Sequence, residues 1–590
     1  MRPTAPSSQN RPRILSALPV VRDAGARALF LPTALISITL LAWLYWLGAN
    51  DDPRGLTPIY FVLFQQFDYP AAMCALLILV CAALVPSRVR LRPVLRWVGA
   101  HPCTVAAASA ILLCAGSLIA YSNHPFAMDE YAQFFQSQVF ATGHLAGRFP
   151  TPLLDWLIPK DFQNHFLFVS KSTGAVASAY WPSFALLLTP FTWLGIPWAC
   201  NPIISALTVI AVHRLALRLF DDHEAAGLAA LLTAASPVFF ANGISYYSMP
   251  AHMLANTVYV LLLTAPTPRR AFSAGVVGSI ALTLHNPVPH ILFAIPWLVW
   301  VANRPRALRL VGCLAAGYVP LCVLLGVGWF LFTIDLRQAA LDAATSASTQ
   351  LHNVARLAGV FSLPDASLLF ARLIGLAKVW IWAVPALVIA AAAGAWKWRS
   401  DPFCRLLLGS AVLTLIGFLF VPADQGHGWG FRYFHSAWMV LPLLAAGAFA
   451  RKRGEQHIAP DGGSDDAVGF VTACALLSLA VAVPFRAVQI RDLIAHQLQQ
   501  VPRCGPVPSC VVIIDPHSTF YGADLVQNDP FLRSGIIRMI GHGVAENEDM
   551  MREHFPLYQR DRLERHGEVW LPASDASARA ASMHTEADVR

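Results

Sequence analysis

Residues 124–131, which read HPFAMDEY, carry side chains whose types and spacing could do chemistry. Asp129 and Glu130 follow a long apolar run, and charges beside lipid are costly and tend to be retained for function. A carboxylate within hydrogen-bond reach of a hydroxyl can remove its proton as a general base. Alternatively, the two carboxylates only cap a helix that starts at Tyr131.

A second candidate is the glycine-rich stretch 424–433, which reads DQGHGWGFRY just before a late apolar run. Arg432 could bind and stabilise an anionic leaving group, because a cation in a dry site does so effectively. The glycines would let the backbone approach that group, and His427 and Tyr433 lie close by. Alternatively, Arg432 extends from a helix end toward the interface and the glycines form a tight turn.

Weaker candidates lie between other apolar runs. Lys171 and His165 could contact a phosphate or an acceptor, or could be solvated loop surface. His285 and His290 flank a turn in which they could converge on a metal ion, although their spacing is not that of helix-borne ligands. Cys504 and Cys510 lie in a polar segment, and a local disulfide is plausible if that segment is extracytoplasmic.

Composition identifies the elements that must position these residues. Of 590 residues, 56% are hydrophobic and 13% are charged, with a mean hydropathy of +0.53. The charged share is about half that of a soluble domain. The net charge of +8 comes from small clusters between apolar runs, which is typical of membrane topology and argues against nucleic acid as a partner. No P-loop or dinucleotide fingerprint is present, which argues against ATP or NAD.

A hydrocarbon core needs about 20 apolar residues per helix. The sequence predicts an all-α polytopic membrane protein with about thirteen transmembrane helices, within a range of 11–14. The apolar runs are 29–49, 70–86, 102–121, 202–220, 225–243, 252–266, 272–285, 289–302, 309–332, 373–396, 405–421, 432–450 and 467–485. They are nearly free of ionisable side chains; Lys378, close to a helix start, is the main internal cation.

Arginine and lysine clusters alternate between loops and predict the orientation. They place the N-terminus in the cytoplasm and the C-terminus outside. The absence of eukaryotic retention signals and the compact loops favour a bacterial inner membrane. No cleavable signal peptide is expected. The stretch 181–199 was excluded as a crossing because counting it would invert the charge pattern; its tryptophans and prolines favour a helix lying in the interface.

Three regions follow from this topology: a cytoplasmic segment 1–28, a transmembrane domain 29–485 and an extracytoplasmic tail 486–590. The outward loops include the first loop, 122–201, which should carry amphipathic helices, and a later one at 333–372. Within the tail, Cys510–Asp515 resembles a buried strand, and a turn at Asn528-Asp529-Pro530 is expected to pack over the site. The stretch 454–466 is expected to be a cytoplasmic connector.

An Asp-Glu pair outside an early helix, followed by Tyr131, resembles the GT-C superfamily of membrane glycosyltransferases. That superfamily includes protein O-mannosyltransferases and lipid A aminoarabinose transferases. Tyr180-Trp181-Pro182 resembles its juxtamembrane motif, and the end of 424–433 resembles its late "G..RY" motif. The resemblance covers roughly residues 100–450 and rests on short motifs.

The resemblance implies a sugar donor carried on a polyprenyl phosphate, whose phosphate is displaced with inversion by an acceptor hydroxyl. Asp129 matches the general base, Glu130 assists or orients a divalent metal ion that members use variably, and Arg432 binds the donor phosphate. Tyr246 and Tyr247 resemble the substrate-side loop. The acceptor would be a glycan, lipid or protein of the cell envelope.

Two other functions stay open. A ligase that transfers a whole lipid-linked glycan would share the topology and the leaving group. A transporter or flippase of a lipid-linked substrate would more often show inverted repeats and charges at mid-membrane. The sequence predicts an enzyme over a transporter, because Asp129 and Arg432 fall on the same predicted face, but it does not separate the glycosyltransferase from the ligase.

Overall fold

The apolar runs fold as helices, as their length and composition predict. The structure is a computed structural model that describes residues 23–48, 56–85, 91–341, 363–451 and 462–574. Its helices are α1 Ala24–Gly48, α2 Pro58–Val62, α3 Tyr69–Leu84, α4 Arg92–Ala100, α5 Pro102–Ile119, α6 Met128–Ala141, α7 Leu154–Leu157, α8 Ser183–Trp193, α9 Cys200–Phe220, α10 His223–Ala234, α11 Pro237–Gly243, α12 Met249–Leu263, α13 Pro268–Thr283, α14 Val288–Ala302, α15 Ala307–Leu321, α16 Trp329–Leu341, α17 Ala366–Ile381, α18 Leu387–Lys397, α19 Pro402–Leu419, α20 Arg432–His435, α21 Val440–Phe449, α22 Gly462–Leu477, α23 Val483–Gln499 and α24 Val544–His554. Single π-helical segments at Leu63–Asp68, Cys322–Gly328 and Ser478–Ala482 join α2 to α3, α15 to α16 and α22 to α23.

Seven helices in the described part of the chain are long and apolar enough to cross a membrane, and an eighth results if α10 and α11 form one span bent by 60°. The continuous seven are Ala24–Gly48, Pro58–Leu84, Pro102–Ile119, Pro197–Phe220, Ala307–Ile334, Pro402–Leu419 and Asp465–Gln499. The other predicted runs fall on shorter helices. Helices are therefore where hydropathy predicted them, whereas the count of thirteen crossings stays a prediction.

The run predicted as one helix at 373–396 is two helices. α17 ends at Ile381 and α18 begins at Leu387, with Ala386 between them at a φ of +69°. Lys378 consequently lies in the last turn of α17 rather than near a helix start. The backbone N–H of Val238, at the bend between α10 and α11, donates to the Trp382 carbonyl oxygen over 3.2 Å, so the two breaks pack together.

The stretch 181–199 folds as the helix α8 followed by a short 3₁₀ turn. At 11 residues, α8 is about 16 Å long, roughly half of a hydrocarbon core. Trp193 at its end is 66% exposed, and its indole N–H donates to the Ala141 carbonyl oxygen over 2.7 Å. α8 is shorter than a hydrocarbon core, as are other helices in the predicted runs, so its interfacial position stays a prediction from charge.

Two small sheets make the all-α prediction incomplete. In the first loop, β1 (Gly147–Arg148), β3 (Ala175–Ser178) and β2 (Leu167–Val169) form an antiparallel sheet in that order. In the tail, the order is β5 (Ile536–Ile540), β4 (Cys510–Ile514), β7 (Gly567–Pro572), β6 (Tyr558–Glu564), with β4 and β5 parallel. β4 is the buried strand predicted at 510–515.

The tail sheet is attached to the helical domain by a continuous helix. α23 runs from Val483 to Gln499, so the predicted domain boundary at 486 lies inside it. Cys504, between α23 and β4, and Cys510, the first residue of β4, are joined in a disulfide. Residues 1–22, 342–362, 452–461 and 575–590 lie outside the described part, and with them most of the N-terminal segment, half of 333–372, most of 454–466 and the end of the tail.

A buried cluster of charges joins three helices: Asp68 and Arg486 lie just outside the predicted runs 70–86 and 467–485, and Lys378 is the internal cation that the sequence analysis names. Asp68 accepts hydrogen bonds from Lys378 Nζ at 2.8 Å, Arg486 Nη2 at 2.8 Å and the Trp382 indole N–H at 2.7 Å. The Arg486 guanidinium also lies 3.6 Å from the centre of the Trp382 ring. All three charged side chains are at most 2% exposed. Two cations share one anion, a set we call the Asp68 cluster.

Candidate active site

Helix α6 carries Asp129 and Glu130 in its first turn, and Glu130 fixes that turn in the fold. The Glu130 carboxylate accepts the Phe126 N–H at 2.7 Å, the Tyr246 N–H at 2.8 Å and the Tyr121 hydroxyl at 3.0 Å. Its side chain is fully buried. Three donors from three segments thus hold the start of α6, and its neighbour Asp129 is oriented by the same turn.

Burial raises the pKa of Glu130 from 4.5 to about 7, although its three donors act in the opposite direction. The folded chain therefore holds a proton that the unfolded chain releases between these two pH values, so stability falls as the pH rises through this window. We expect the free energy of unfolding to drop by up to about 3 kcal/mol from pH 4.5 to 7 through this group, and Glu130→Gln to remove the drop.

Melting in detergent at pH 4.5 to 8, followed by intrinsic tryptophan fluorescence, measures this dependence, since the chain has 17 tryptophans. Glu546→Gln, at an exposed acidic residue of α24, is the matched control and should keep the wild-type slope. Parallel pH curves for wild type and Glu130→Gln would contradict the assignment.

Asp129 has two partners, one for each carboxylate oxygen. Arg432 Nη1 lies 2.8 Å from Oδ2, and the Tyr180 hydroxyl donates to Oδ1 over 3.0 Å. Burial alone would raise the pKa of Asp129, but the Arg432 guanidinium outweighs burial and holds the pKa below its ordinary value. The carboxylate is therefore ionised at neutral pH. Its side chain is 18% exposed, which leaves it reachable.

The glycine-rich stretch 424–433 folds around Arg432. Gln425 accepts the Arg432 backbone N–H with its side-chain oxygen at 2.8 Å and accepts from the guanidinium with its backbone oxygen. Gly428 has a φ of +114°, and a Cβ there would lie 2.5 Å from the Arg432 side chain. The guanidinium lies 4.4 Å from the centre of the Tyr247 ring. The glycines predicted to admit a ligand thus make room for Arg432 itself.

A cavity of about 240 Å³ adjoins Asp129. Its wall includes His427, Phe166 and, from the tail, Tyr521 and Asp524. The Asp524 carboxylate accepts the Met128 N–H over 2.8 Å and lies 3.6 Å from His427 Nε2. Burial raises the pKa of Asp524. The first loop, the glycine-rich stretch and the tail therefore meet at one cavity, with Asp129 in its wall.

Several buried polar atoms around Arg432 have no hydrogen-bond partner within the described chain. They are Arg432 Nε, the Tyr247 hydroxyl oxygen and His427 Nε2. Buried polar atoms are almost always paired, so unpaired ones indicate a missing water, ion or ligand. All three can donate protons, which suits an anion.

The remaining predicted residues divide into two groups. Tyr246 and Tyr433 hold the site's backbone: Tyr246 N–H donates to Glu130, and the Tyr433 hydroxyl donates to the Asp424 carbonyl oxygen over 2.8 Å. Lys171 and His165 are exposed and do not line the cavity; Lys171 Nζ lies 3.8 Å from Asp155 Oδ1, and the His165 ring packs on Phe166.

The two histidines predicted as metal candidates do not converge. The His285 ring stacks on Tyr180 at 4.2 Å, and burial lowers the pKa of His285 to about 4. His290 is hydrogen-bonded to Asn256 and Tyr318, each at 2.7 Å. Among the described residues, no three His, Cys, Asp or Glu side chains are grouped so that they could hold a metal ion.

Sequence reasoning did not assign Tyr180 or Asp524 to the site. Tyr180 belongs to the segment Tyr180-Trp181-Pro182 that resembles the juxtamembrane motif, and this motif is the signal that could have identified it. Burial and then the Asp129 carboxylate raise the pKa of Tyr180, so its phenol stays a donor. Asp524 lies 396 residues from Met128 in sequence, and no local pattern marks it.

No protein-family model matches the chain, and no curated protein matches it. Among solved structures, it is similar to the crystal structure of ArnT from Cupriavidus metallidurans bound to undecaprenyl phosphate, with a TM-score of 0.48 and 11% identity, over 79% of this chain and 97% of that one. The apo form of the same protein gives a TM-score of 0.45 and 12% identity, over the same shares of the two chains.

Proposed function

We propose that this protein is a membrane glycosyltransferase of the GT-C kind, which transfers a sugar from a polyprenyl-phosphate donor to a hydroxyl of a cell-envelope acceptor on the extracytoplasmic face. The observation that carries the proposal is the ionised, partly exposed Asp129 carboxylate, which lies in the wall of a cavity and is paired with the buried Arg432. A base and a cation side by side suit a reaction that takes a proton from one group and releases an anion from another.

In the proposed reaction, Asp129 accepts the proton of the acceptor hydroxyl as its oxygen forms a bond to the anomeric carbon. The bond from that carbon to the phosphate oxygen breaks, and the lipid phosphate leaves with the electron pair. One displacement inverts the anomeric centre. Tyr180 and Arg432 orient the carboxylate through one oxygen each, so a lone pair stays directed at the acceptor.

The leaving phosphate would bind at the unpaired donors Arg432 Nε and the Tyr247 hydroxyl, whereas His427 Nε2 faces the Asp524 carboxylate at 3.6 Å. Donors that are already in place cost no reorganisation when negative charge develops. Glu130, saturated by its own donors, is proposed as a positioning residue. Tyr433 and Tyr246 act in the same way by holding the backbone.

Contacts between distant loops support the proposed topology. Arg92 and Arg96 each lie 2.7 Å from Glu224, and Arg92 also pairs with Asp465. These residues come from loops or helix ends that the charge pattern assigns to the cytoplasm. Asp129, Arg432 and Asp524 come from loops assigned to the outside. The contacts in each set join only residues that the predicted topology, with thirteen crossings and an outward tail, assigns to the same side of the membrane.

Arg432 is the residue through which the lipid-phosphate donor is best tested. We expect Arg432→Gln to lower the rate of transfer about 10²–10³-fold, because it removes charge stabilisation of the leaving phosphate. Arg432→Lys should recover only part of the loss, since an ammonium cannot reproduce the planar fork. The assay follows radiolabelled sugar from polyprenyl-phosphate donors into envelope extracts in proteoliposomes.

Arg148→Gln, at an exposed arginine of the first loop, is the control and should transfer like wild type. Transfer that is equally fast from nucleotide sugars without lipid, or that survives in Arg432→Gln, would rule out the proposed donor.

A further inference from the structure

A second cavity, of about 750 Å³, opens between the first loop and the tail. Polar side chains from both regions line it, among them Asn123, Gln138, Arg503, Gln527, Asn528 and Arg538. Its volume lies in the range of cavities that bury small ligands. It is distinct from the cavity at Asp129, because the two share no lining residue.

The charge in this cavity is positive. Neither Arg503 nor Arg538 has a carboxylate within 4 Å among the residues that the structure describes. The one acidic residue of the wall, Asp529, is engaged by its own turn, in which it accepts the Phe531 N–H at 2.9 Å and the Arg533 N–H at 3.1 Å.

Another wall residue, His124, adds no charge. Burial and then Arg538 lower the pKa of His124 to about 4, so it is neutral at physiological pH. Two arginines therefore determine the electrostatics of the cavity.

The position of Arg538 is built in by the segment predicted as a turn at Asn528-Asp529-Pro530. The Asn528 side chain donates to the Arg538 carbonyl oxygen and accepts its N–H, each at 2.8 Å. The Asn528 backbone in turn exchanges hydrogen bonds of 2.8 and 2.6 Å with the Tyr131 hydroxyl on α6. Arg538 is thus fixed relative to the helix that carries Asp129.

The two cavities border the same strip of the tail. Ala523 and Asp524 line the smaller one, and Leu525, Gln527 and Asn528 line the larger one. A ligand held by Arg503 and Arg538 is consequently close to the chain segment that forms the wall of the Asp129 site.

We propose that the larger cavity binds an acidic carbohydrate, a sugar that carries a phosphate or a carboxylate, and presents it as the acceptor. The two arginines pair with the acid, and the Gln138 amide, the Asn123 side-chain NH2 and the Gln527 side-chain oxygen pair with hydroxyls. The Gln527 NH2 itself donates to the Pro125 and Asp524 carbonyl oxygens, each at 2.8 Å. The acceptor role rests on the proposed function, whereas the binding itself does not.

The test is equilibrium binding to the purified full-length chain in detergent, without donor, by titration calorimetry. The probes are glucose 1-phosphate, digalacturonic acid and neutral maltose; the first two distinguish a phosphate from a carboxylate as the preferred acid. We expect at least one acidic probe to bind about tenfold or more tightly than maltose, as charge-assisted pairing requires.

Arg503→Gln/Arg538→Gln should weaken that probe about tenfold or more, and Arg552→Gln, at an exposed arginine of α24, should leave it unchanged. Because Arg538 is partly buried, its substitution could disturb the fold, and Arg503→Glu is therefore the second variant. Arg503 is exposed, so we expect this variant to keep its fold and still to bind the acidic probe more weakly. Equal affinity for maltose, or unaltered affinity in both arginine variants, overturns the proposal.

Asp129→Asn separates this inference from the proposed function, because it should bind the acidic probe like wild type. If no donor supports transfer while this binding is found, the proposed enzyme is rejected and the acidic site remains. If transfer occurs but no acidic probe binds, the cavity assignment is overturned and the enzyme remains.

Discussion

Asp129→Asn is expected to lower the rate of sugar transfer by about 10²–10⁴-fold, the usual contribution of a general base. The substitution keeps the size of the side chain and its contact with Tyr180 but removes the proton acceptor and the charge paired with Arg432. Transfer of radiolabelled sugar from a polyprenyl-phosphate donor in proteoliposomes measures the effect, together with size-exclusion chromatography to verify the fold.

The pH profile gives a second readout for the same residue. Because Arg432 holds the pKa of Asp129 below its ordinary value, loss of the base should not limit the wild-type rate between about pH 5 and 8. Asp161→Asn, at an exposed acid of the same loop, is the matched control. Wild-type transfer by the folded Asp129→Asn protein would reduce Asp129 to a structural role and remove the basis of the proposal.

Asp68→Asn is expected to destabilise the protein by about 3–5 kcal/mol, because it leaves the Lys378 and Arg486 cations buried without an anion. Lys378→Met should cost much less, since it leaves Asp68 and Arg486 as a balanced pair. Thermal melting in detergent measures both, and we expect the order wild type, Lys378→Met, Asp68→Asn in falling melting temperature.

Asp492→Asn, at an exposed acid on the same helix as Arg486, is the control and should melt like wild type. A triple variant with Asp68→Leu, Lys378→Met and Arg486→Met tests the reason, because replacing all the charges removes the unpaired cations. We expect the triple variant to have a higher melting temperature than Asp68→Asn. Equal melting temperatures of Lys378→Met and Asp68→Asn would contradict the charge-balance account.

The helices were predictable because hydropathy is local: each run carries its own signal. The breaks within these runs were less predictable. Pro385 and Ala386 divide α17 from α18 inside a stretch that stays apolar throughout. The tail sheet was missed apart from β4, because β6 reads YQRDRLE and shows no apolar alternation. Its strand structure depends on pairing with β7, which no local pattern reveals.

The candidate site was likewise predictable only in part. Asp129 and Arg432 stood out through short motifs and came together across 303 residues. Asp524 and the Asp68 cluster did not stand out, because their partners lie 310 to 418 residues away. Lys171 and His165 had suitable chemistry but an exposed position. Residue type can be read from a sequence, whereas pairing between distant segments depends on tertiary packing.

The hydrogen bond from Met128 to Asp524 has a consequence for biogenesis. The amide that begins α6 is synthesised 396 residues before its acceptor. Until the tail has folded, the cavity lacks one wall and the first amide of α6 lacks this acceptor. Contacts of such long range form late. The cavity beside Asp129 is therefore completed only after the tail has folded, so a nascent chain that stalls before residue 524 does not contain the finished cavity.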